Sequence, residues 1–421
     1  MDRIRIEGGQ VLTGKIKAAG AKNAVLPIMA ASILTDQGLE LLNVPDLVDV
    51  STMCSLLENF GVLVKRDYAS GRMLINANKV SSTVAPYDIV CKMRASILVL
   101  GPLLARFGSA HVSLPGGCAI GTRPIDLHID ALEAMGAKIT IEEGYVKASV
   151  NGKLQGSRIR FKAISVGATE NIMMAAVLAQ GTTYLENVAI EPEVIDLGEC
   201  LIKMGAKISG LGTREIKIEG VDKLNFALHS VIPDRIEAGT FLIAAAITGG
   251  HLEIDNVRPE HLEAVLHKLR ETGVDIVCGK DTITLDARGV KLHSVNIKTG
   301  EYPSFPTDMQ AQFMSLMTVA DGSSIIEENI FENRFMHVAE LLRMGADIKV
   351  DKNDAIVRSV SKLKGAQVMA TDLRASVSLV IAALAADGVT EISRVYHLDR
   401  GYENIEKKLS ACGVKISRIT A

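Results

Sequence analysis

The sequence predicts an α/β protein made of six copies of one β-α-β-α-β-β unit, grouped three and three into two domains. Two observations carry this reading. An apolar helix-like run ends six times in one signature, as LLENFGVLV, LEAMGAKIT, LIKMGAKIS, LRETGVDIV, LLRMGADIK and LSACGVKIS. Its glycines, Gly61, Gly136, Gly205, Gly273, Gly345 and Gly413, recur at nearly even spacing. Upstream of each lies a second run, in PIMAASILTDQG, SILVLGPLLARFG, NIMMAAVLAQG, FLIAAAITGG, FMSLMTVADG and LVIAALAADG, closing on Gly38, Gly108, Gly181, Gly250, Gly322 and Gly388.

Each element of the unit follows from its pattern. The upstream helices are apolar nearly all round and so belong in a core rather than on a surface. Their closing glycines suit left-handed helix ends. A strand-like stretch such as TTYLENV or HLEIDNV comes next, then the amphipathic helix that ends in the signature. Two short alternating strands finish the unit, as in AKITIEEGYVKASV. The last copy stops at VKISRIT, one strand short, and RIRIEG in residues 3–8 closely resembles the EIKIEG that ends the third copy at residues 215–220. The N-terminus is therefore expected to complete the sixth unit. That makes the second domain discontinuous, 1–21 plus 232–421, around a first domain of 22–231, with a cleft between them.

Bulk properties narrow the function. At 48% hydrophobic and 23% charged residues the chain has ample core. A net charge of −3 provides no field to attract nucleic acid or an anionic membrane. The opening MDRIRIEGGQ is charged and alternating, unlike a signal peptide, and no apolar run reaches the ~18 residues of a membrane span. The six cysteines and nine histidines show no metal-ligand spacing, and His261 and His267 are too far apart for a zinc helix. The expectation is a soluble, reduced, cytoplasmic protein without metal or cofactor, without nucleic-acid or membrane partners, and monomeric.

The copies differ where chemistry is expected. Measured from upstream to signature glycine, the second copy (Gly108 to Gly136) is the longest of the six, and its excess falls in SLPGGCAIGTRPIDL, residues 113–127. Five copies do without this loop, so the fold does not need it. It is no P-loop, because Gly121 is followed by Thr122 and Arg123 rather than by Lys and Ser/Thr. Cys118 within it stands near Arg123, where cations would tune a thiol. Charges also recur at matched offsets. Arg94, Asp308 and Arg374 share one offset before their upstream glycines, Gly108, Gly322 and Gly388, and Lys22 lies slightly farther ahead of Gly38. Arg123 and Arg400 share another before their signature glycines, Gly136 and Gly413, and Arg334 lies slightly closer to Gly345. Such offsets place them at or near helix N-termini, which already favour anions. Added Lys and Arg then point to small phosphate and carboxylate ligands, with Asp308 and Asp372 as carboxylates among the cations.

The strings GAKNAVLP, PGGCAIGTRPIDLH, SVGAT, EYPSFPTDMQAQ, ENIFENRFMHV, TDLRAS and YHLDRGYE closely resemble the UDP-N-acetylglucosamine enolpyruvyl transferase family, over essentially the whole chain. The resemblance implies a two-domain inside-out α/β barrel, and enolpyruvyl transfer from phosphoenolpyruvate to the 3′-hydroxyl of UDP-N-acetylglucosamine, the first committed step toward peptidoglycan. It implies Cys118 as the loop thiol that protonates phosphoenolpyruvate or forms an adduct with it, and that the epoxide fosfomycin alkylates. It implies Asp308 as the carboxylate taking the sugar hydroxyl's proton. Lys22, Arg123 and Arg400 would hold phosphoenolpyruvate. Asn23 and Arg94 would contact the sugar nucleotide, with Pro124, Ile125, Asp126 and Leu127 along the uridine and Ile330 beside the sugar. Asp372, Arg374 and Arg334 match the TDLRAS and ENRF segments. One departure is FKAISVGAT, where Ala163 replaces a lysine frequent in relatives and Lys162 is its neighbour. Two alternatives remain: a shikimate 3-phosphate enolpyruvyl transferase of the same fold, and a sixfold-repeat DNA clamp, against which the apolar repeated helices count.

Overall fold

Among the residues that the computed structural model describes, 2–114 and 125–420, six four-stranded sheets repeat one strand order. In each sheet the unit's first and second strands run parallel, and the fourth strand lies between the second and third, antiparallel to both. The parallel pair needs a crossover, which the apolar helix supplies. Contacts divide the chain into two units, residues 2–19 with 233–420 and residues 20–114 with 125–232.

In the unit of residues 20–232 the buried helices are Lys22–Ala31, Leu100–Phe107 (continuing a 3₁₀ turn, Arg94–Val99) and Val166–Ala176. In the other unit they are Arg235–Ile247, Gln310–Met317 and Leu373–Ala385, which pack against one another. Arg235–Ile247 shows why: all thirteen of its residues are buried, so it has no solvent face to offer. The amphipathic helices differ in depth: Glu263–Glu271 buries one apolar stripe of Val265, Leu266 and Leu269, whereas Pro192–Lys203 has eight of its twelve residues buried.

The N-terminal strand Arg3–Glu7 does complete the last sheet. It lies between Val389–Ser393 and Lys415–Ile419, antiparallel to both, with Ile4 opposite Ile392 and Ile6 opposite Ile416. Its alternation explains the register, since Ile4 and Ile6 are fully buried while Arg3 and Arg5 face outward. Strand Thr13–Lys17 pairs with His251–Asp255, yet the chain runs on from it into helix Lys22–Ala31 of the other unit. Strand Ala227–Ser230 pairs with Leu39–Leu42 and leads back into Arg235–Ile247. Near that return crossing, Lys203 Nζ donates to His229 Nδ1 (3.1 Å) and His229 Nε2 donates to Asp196 (2.9 Å). An ammonium can only donate, so the ring carries its proton on Nε2.

All six signature glycines have positive φ, from 87° to 105°. The upstream glycines follow with one correction. Gly250 is not left-handed; Gly249 takes that conformation (φ 63°), and a Cβ on Gly250 would stand 2.0 Å from the Leu12 carbonyl oxygen. In the sequence Gly249-Gly250 the first glycine makes the turn and the second admits a passing strand.

Candidate functional site

Matched offsets in the sequence become matched helix ends in the structure. In the unit of residues 233–420, Asp308 sits in the 3₁₀ turn Thr307–Met309 that opens Gln310–Met317. Asp372 caps Leu373–Ala385, accepting from Arg374 N (2.8 Å) and Ala375 N (3.0 Å), and Asp234 caps Arg235–Ile247 in the same way. Three mutually packed helices bring equivalent positions together at one end. Asp308 there accepts from Arg334 (2.8 Å) through one oxygen and from Nε and an Nη of Arg374 (3.1 and 3.0 Å) through the other. Both guanidinium side chains are 4% exposed and the carboxylate 26%. This largely buried, charge-assisted geometry is the strong form of an ion pair.

A polar shell fixes the trio. The buried Tyr402 hydroxyl meets Arg374 Nη1 (3.3 Å), Thr240 (3.0 Å) and Gln312 Nε2 (3.3 Å), and the same amide nitrogen donates to the Asp308 carbonyl (2.8 Å). Burial works against the Arg374 charge, but Asp308, Tyr402 and Asp234 more than offset it and hold its pKa above the ordinary value. Glu328, fully buried, accepts from Thr299, from Thr307 beside Asp308, and from the backbone N–H groups of Ile330 (2.9 Å) and Phe331 (3.2 Å). It thereby sets the loop that presents Ile330. Burial lowers the His337 pKa to about 4, with Asp372 opposing and Arg334 adding to the shift, so this ring is neutral near pH 7. Arg400, half-buried, ends the 3₁₀ turn Val395–Arg400.

In the unit of residues 20–232, Lys22 is the first residue of Lys22–Ala31 and pairs with the buried Asp49 at 2.7 Å; Asn23 beside it is exposed. Arg94 opens the 3₁₀ turn Arg94–Val99. Its charge adds to burial in lowering the His128 pKa to about 4. The His128 tautomer follows from its neighbour. Gly101 N donates to Asn171 Oδ1 (2.7 Å), so the Asn171 Nδ2 must donate to His128 Nδ1 (2.9 Å), leaving the proton on Nε2. Ile125 is buried and precedes helix Asp126–Ala134, which places Asp126 in its first turn and Leu127 next to it. Lys162 is engaged by Asp130 (2.7 Å), on the surface.

The structure thus joins Asp308 to Arg334 and Arg374, and puts Asp372 at the same helix end. Cys118, Arg123 and Pro124 lie outside the described residues. Sequence reasoning passed over Asp49, Glu328, His337 and Tyr402. The last three lie inside or beside the motif strings, whereas Asp49 carries no signal, since its partner Lys22 belongs to the preceding helix and no shared motif links them. Among the described residues no group of His, Cys, Asp and Glu is arranged to hold a metal ion.

The family model for EPSP synthase (3-phosphoshikimate 1-carboxyvinyltransferase) matches residues 6–409. The chain is 60% identical over 420 residues to a protein of Granulibacter bethesdensis, covering all of both chains, and 55% identical over 419 residues to one of Shewanella amazonensis, again over both full lengths. Both relatives are named UDP-N-acetylglucosamine 1-carboxyvinyltransferase. Among solved structures it is similar to the enolpyruvyl transferase NikO of Streptomyces tendae, with a TM-score of 0.90 at 24% identity, covering 100% of this chain and 99% of that one. It is also similar to EPSP synthase of Acinetobacter baumannii, with a TM-score of 0.76 at 18% identity and full coverage of both. At those identities the structures establish the enolpyruvyl transferase fold alone.

Proposed function

From the premise that the chain belongs to the EPSP synthase family, we propose that it transfers the enolpyruvyl group of phosphoenolpyruvate to the 3′-hydroxyl of UDP-N-acetylglucosamine, releasing phosphate. The observation that carries this reading is the full-length identity to two relatives named for that reaction, against 18% to EPSP synthase of Acinetobacter baumannii. The product is the first committed precursor of peptidoglycan.

The reaction is an addition followed by an elimination. Cys118 delivers a proton to the methylene carbon of phosphoenolpyruvate, and the sugar oxygen bonds to the adjacent carbon. Asp308 takes the hydroxyl proton. In the elimination a proton returns from the new methyl group to the Cys118 thiolate, the bond to the phosphate oxygen breaks with phosphate leaving as it takes up the proton held by Asp308, and the enol ether remains. Polyanionic phosphoenolpyruvate needs fixed cations to replace its water, which Lys22, Arg123 and Arg400 supply. Asn23 and Arg94 hold the sugar nucleotide, with Pro124, Ile125, Asp126 and Leu127 along the uridine and Ile330 beside the sugar. Arg334 and Arg374 aim Asp308, whose two oxygens bring several lone pairs to the helix end. Asp372 fixes the helix end from which Arg374 projects.

All the groups invoked come from one chain, so a monomer suffices. The five described cysteines are free, which suits a reducing cytoplasm, and no described helix is long and apolar enough to cross a membrane. The test is phosphate release from phosphoenolpyruvate with UDP-N-acetylglucosamine, with shikimate 3-phosphate, and with neither. Release with the sugar nucleotide alone is expected; release with shikimate 3-phosphate instead would overturn the acceptor.

A further inference from the structure

Arg418 lies on the last strand, Lys415–Ile419, opposite Ile4 of the N-terminal strand. Its guanidinium is almost fully committed. Nη2 and Nη1 donate to the two oxygens of Asp399 (2.6 and 3.0 Å), Nε donates to Glu406 (3.0 Å), and Asp2 stands 3.5 Å from Nη1. Asp399 immediately precedes Arg400, and Glu406 lies in the helix that follows, Ile405–Ala411. The loop that carries Arg400 lies between two non-glycine residues in the left-handed region, Arg394 (φ 56°) and Asn404 (φ 45°); asparagine tolerates that conformation, so only Arg394 is unusual there. On the inner side of the loop Tyr402 is buried against Arg374 and Thr240. On its outer side Arg418 ties Asp399, next to Arg400, to Glu406 of the following helix.

A second copy of the device supports this. Arg418 stands at the same offset after signature glycine Gly413 as Arg66 does after Gly61; the other four copies have Ile141, Gly210, Cys278 and Val350 there. Arg66 likewise grips the loop that enters its unit's amphipathic helix, donating to the Pro45 carbonyl (2.7 Å) and Asp46 (3.2 Å). That loop leads to Asp49, the partner of Lys22. In two of six copies, then, an arginine replaces an uncharged residue and braces a loop that holds or reaches a proposed phosphoenolpyruvate cation.

We propose that Arg418 is a positioning residue for phosphoenolpyruvate binding, holding Arg400 in place through Asp399 and Glu406. This rests on Arg400 itself binding phosphoenolpyruvate. These ion pairs are partly buried, with Arg418 23% and Glu406 14% exposed, so their loss lowers stability somewhat; the distinguishing effect is in placement, because a misplaced binding group costs affinity out of proportion to the fold.

The experiment measures both KM values by phosphate release for the full chain and its Arg418→Met, Arg418→Lys, Asp399→Asn and Arg400→Ala variants. Arg418→Met is expected to raise the phosphoenolpyruvate KM about tenfold while leaving the UDP-N-acetylglucosamine KM nearly unchanged. Arg418→Lys restores part of the loss. Asp399→Asn, which leaves Glu406 to hold Arg418, reproduces the split more mildly in a chain that still folds. Equal changes in both KM values, or none, with Arg400→Ala still selective for phosphoenolpyruvate, would overturn the brace alone. An unmoved phosphoenolpyruvate KM in Arg400→Ala would overturn the assignment of Arg400 and the brace with it.

Discussion

Replacing Glu170 by glutamine should make the protein's stability less sensitive to rising pH. Glu170 lies on the buried helix Val166–Ala176, next to the Asn171 that fixes His128, and is 3% exposed. Its Oε1 has no hydrogen-bond partner among the described residues. Burial, then the charges of Glu193 and Glu191, push its carboxyl well above the ordinary carboxylate range. Below about pH 4.3, the ordinary glutamate pKa, both folded and unfolded chains hold the proton and the contribution of Glu170 to stability is at its fullest. Above that pH the unfolded chain ionises first, so the folded state binds more protons and stability falls. The loss from this one group is about 1.4 kcal/mol per pH unit until the folded pKa is passed. Glutamine keeps the shape and cannot ionise. The assay is urea unfolding of wild type and Glu170→Gln from pH 4.5 to 8, followed by circular dichroism because the chain has no tryptophan. Glu237, whose carboxyl burial also raises, titrates alike in both proteins and cancels in the difference. The variant should gain on the wild type as pH rises. Parallel stability curves across that range would refute the buried, protonated Glu170.

Two further outcomes are expected. Ile6→Ala, at a fully buried position between two strands, should cost about 2–5 kcal/mol in the same unfolding assay; a loss well below that range would mean that the N-terminal strand is not integral to its sheet. Cys118→Ala should abolish most turnover and all covalent labelling by fosfomycin, read by intact mass; labelling of the variant at the wild-type rate would show that another group is the reactive thiol.

How much could be read from the sequence depended on whether a feature repeats. The six units were legible because apolar helices and glycines recur at nearly constant spacing, and the shared strand motif of RIRIEG and EIKIEG revealed the N-terminal completion of the last sheet. Gly250 misled because two adjacent glycines divide roles that spacing cannot separate. Arg94, Asp308 and Arg374 stood out by their shared offset, and Arg334 by a second one. Their pairing did not: Arg334 and Arg374 reach Asp308 from 26 and 66 residues away, and nothing local distinguishes Asp49 from an ordinary surface carboxylate. Burial made these residues important, and burial of a single charge is a tertiary fact.

The same repetition constrains what a site in this fold can be. Equivalent positions around three packed helices converge at one end, so a single charged residue type kept in every copy would gather like charges, each disfavouring the others' ionised forms. The offset shared by Arg94, Asp308 and Arg374 is instead filled, in chain order, by Ala24, Arg94, Gly167, Ile236, Asp308 and Arg374. In the unit of residues 233–420 the one carboxylate and one guanidinium at that position neutralise each other, with Arg334 from a second offset and the cap Asp234 close enough to support Arg374. In the unit of residues 20–232, Lys22 is balanced by Asp49 from outside the repeat pattern. The fold can therefore present charge at its helix ends only by breaking its own symmetry, and the residues that break it are the ones assigned to binding and proton transfer.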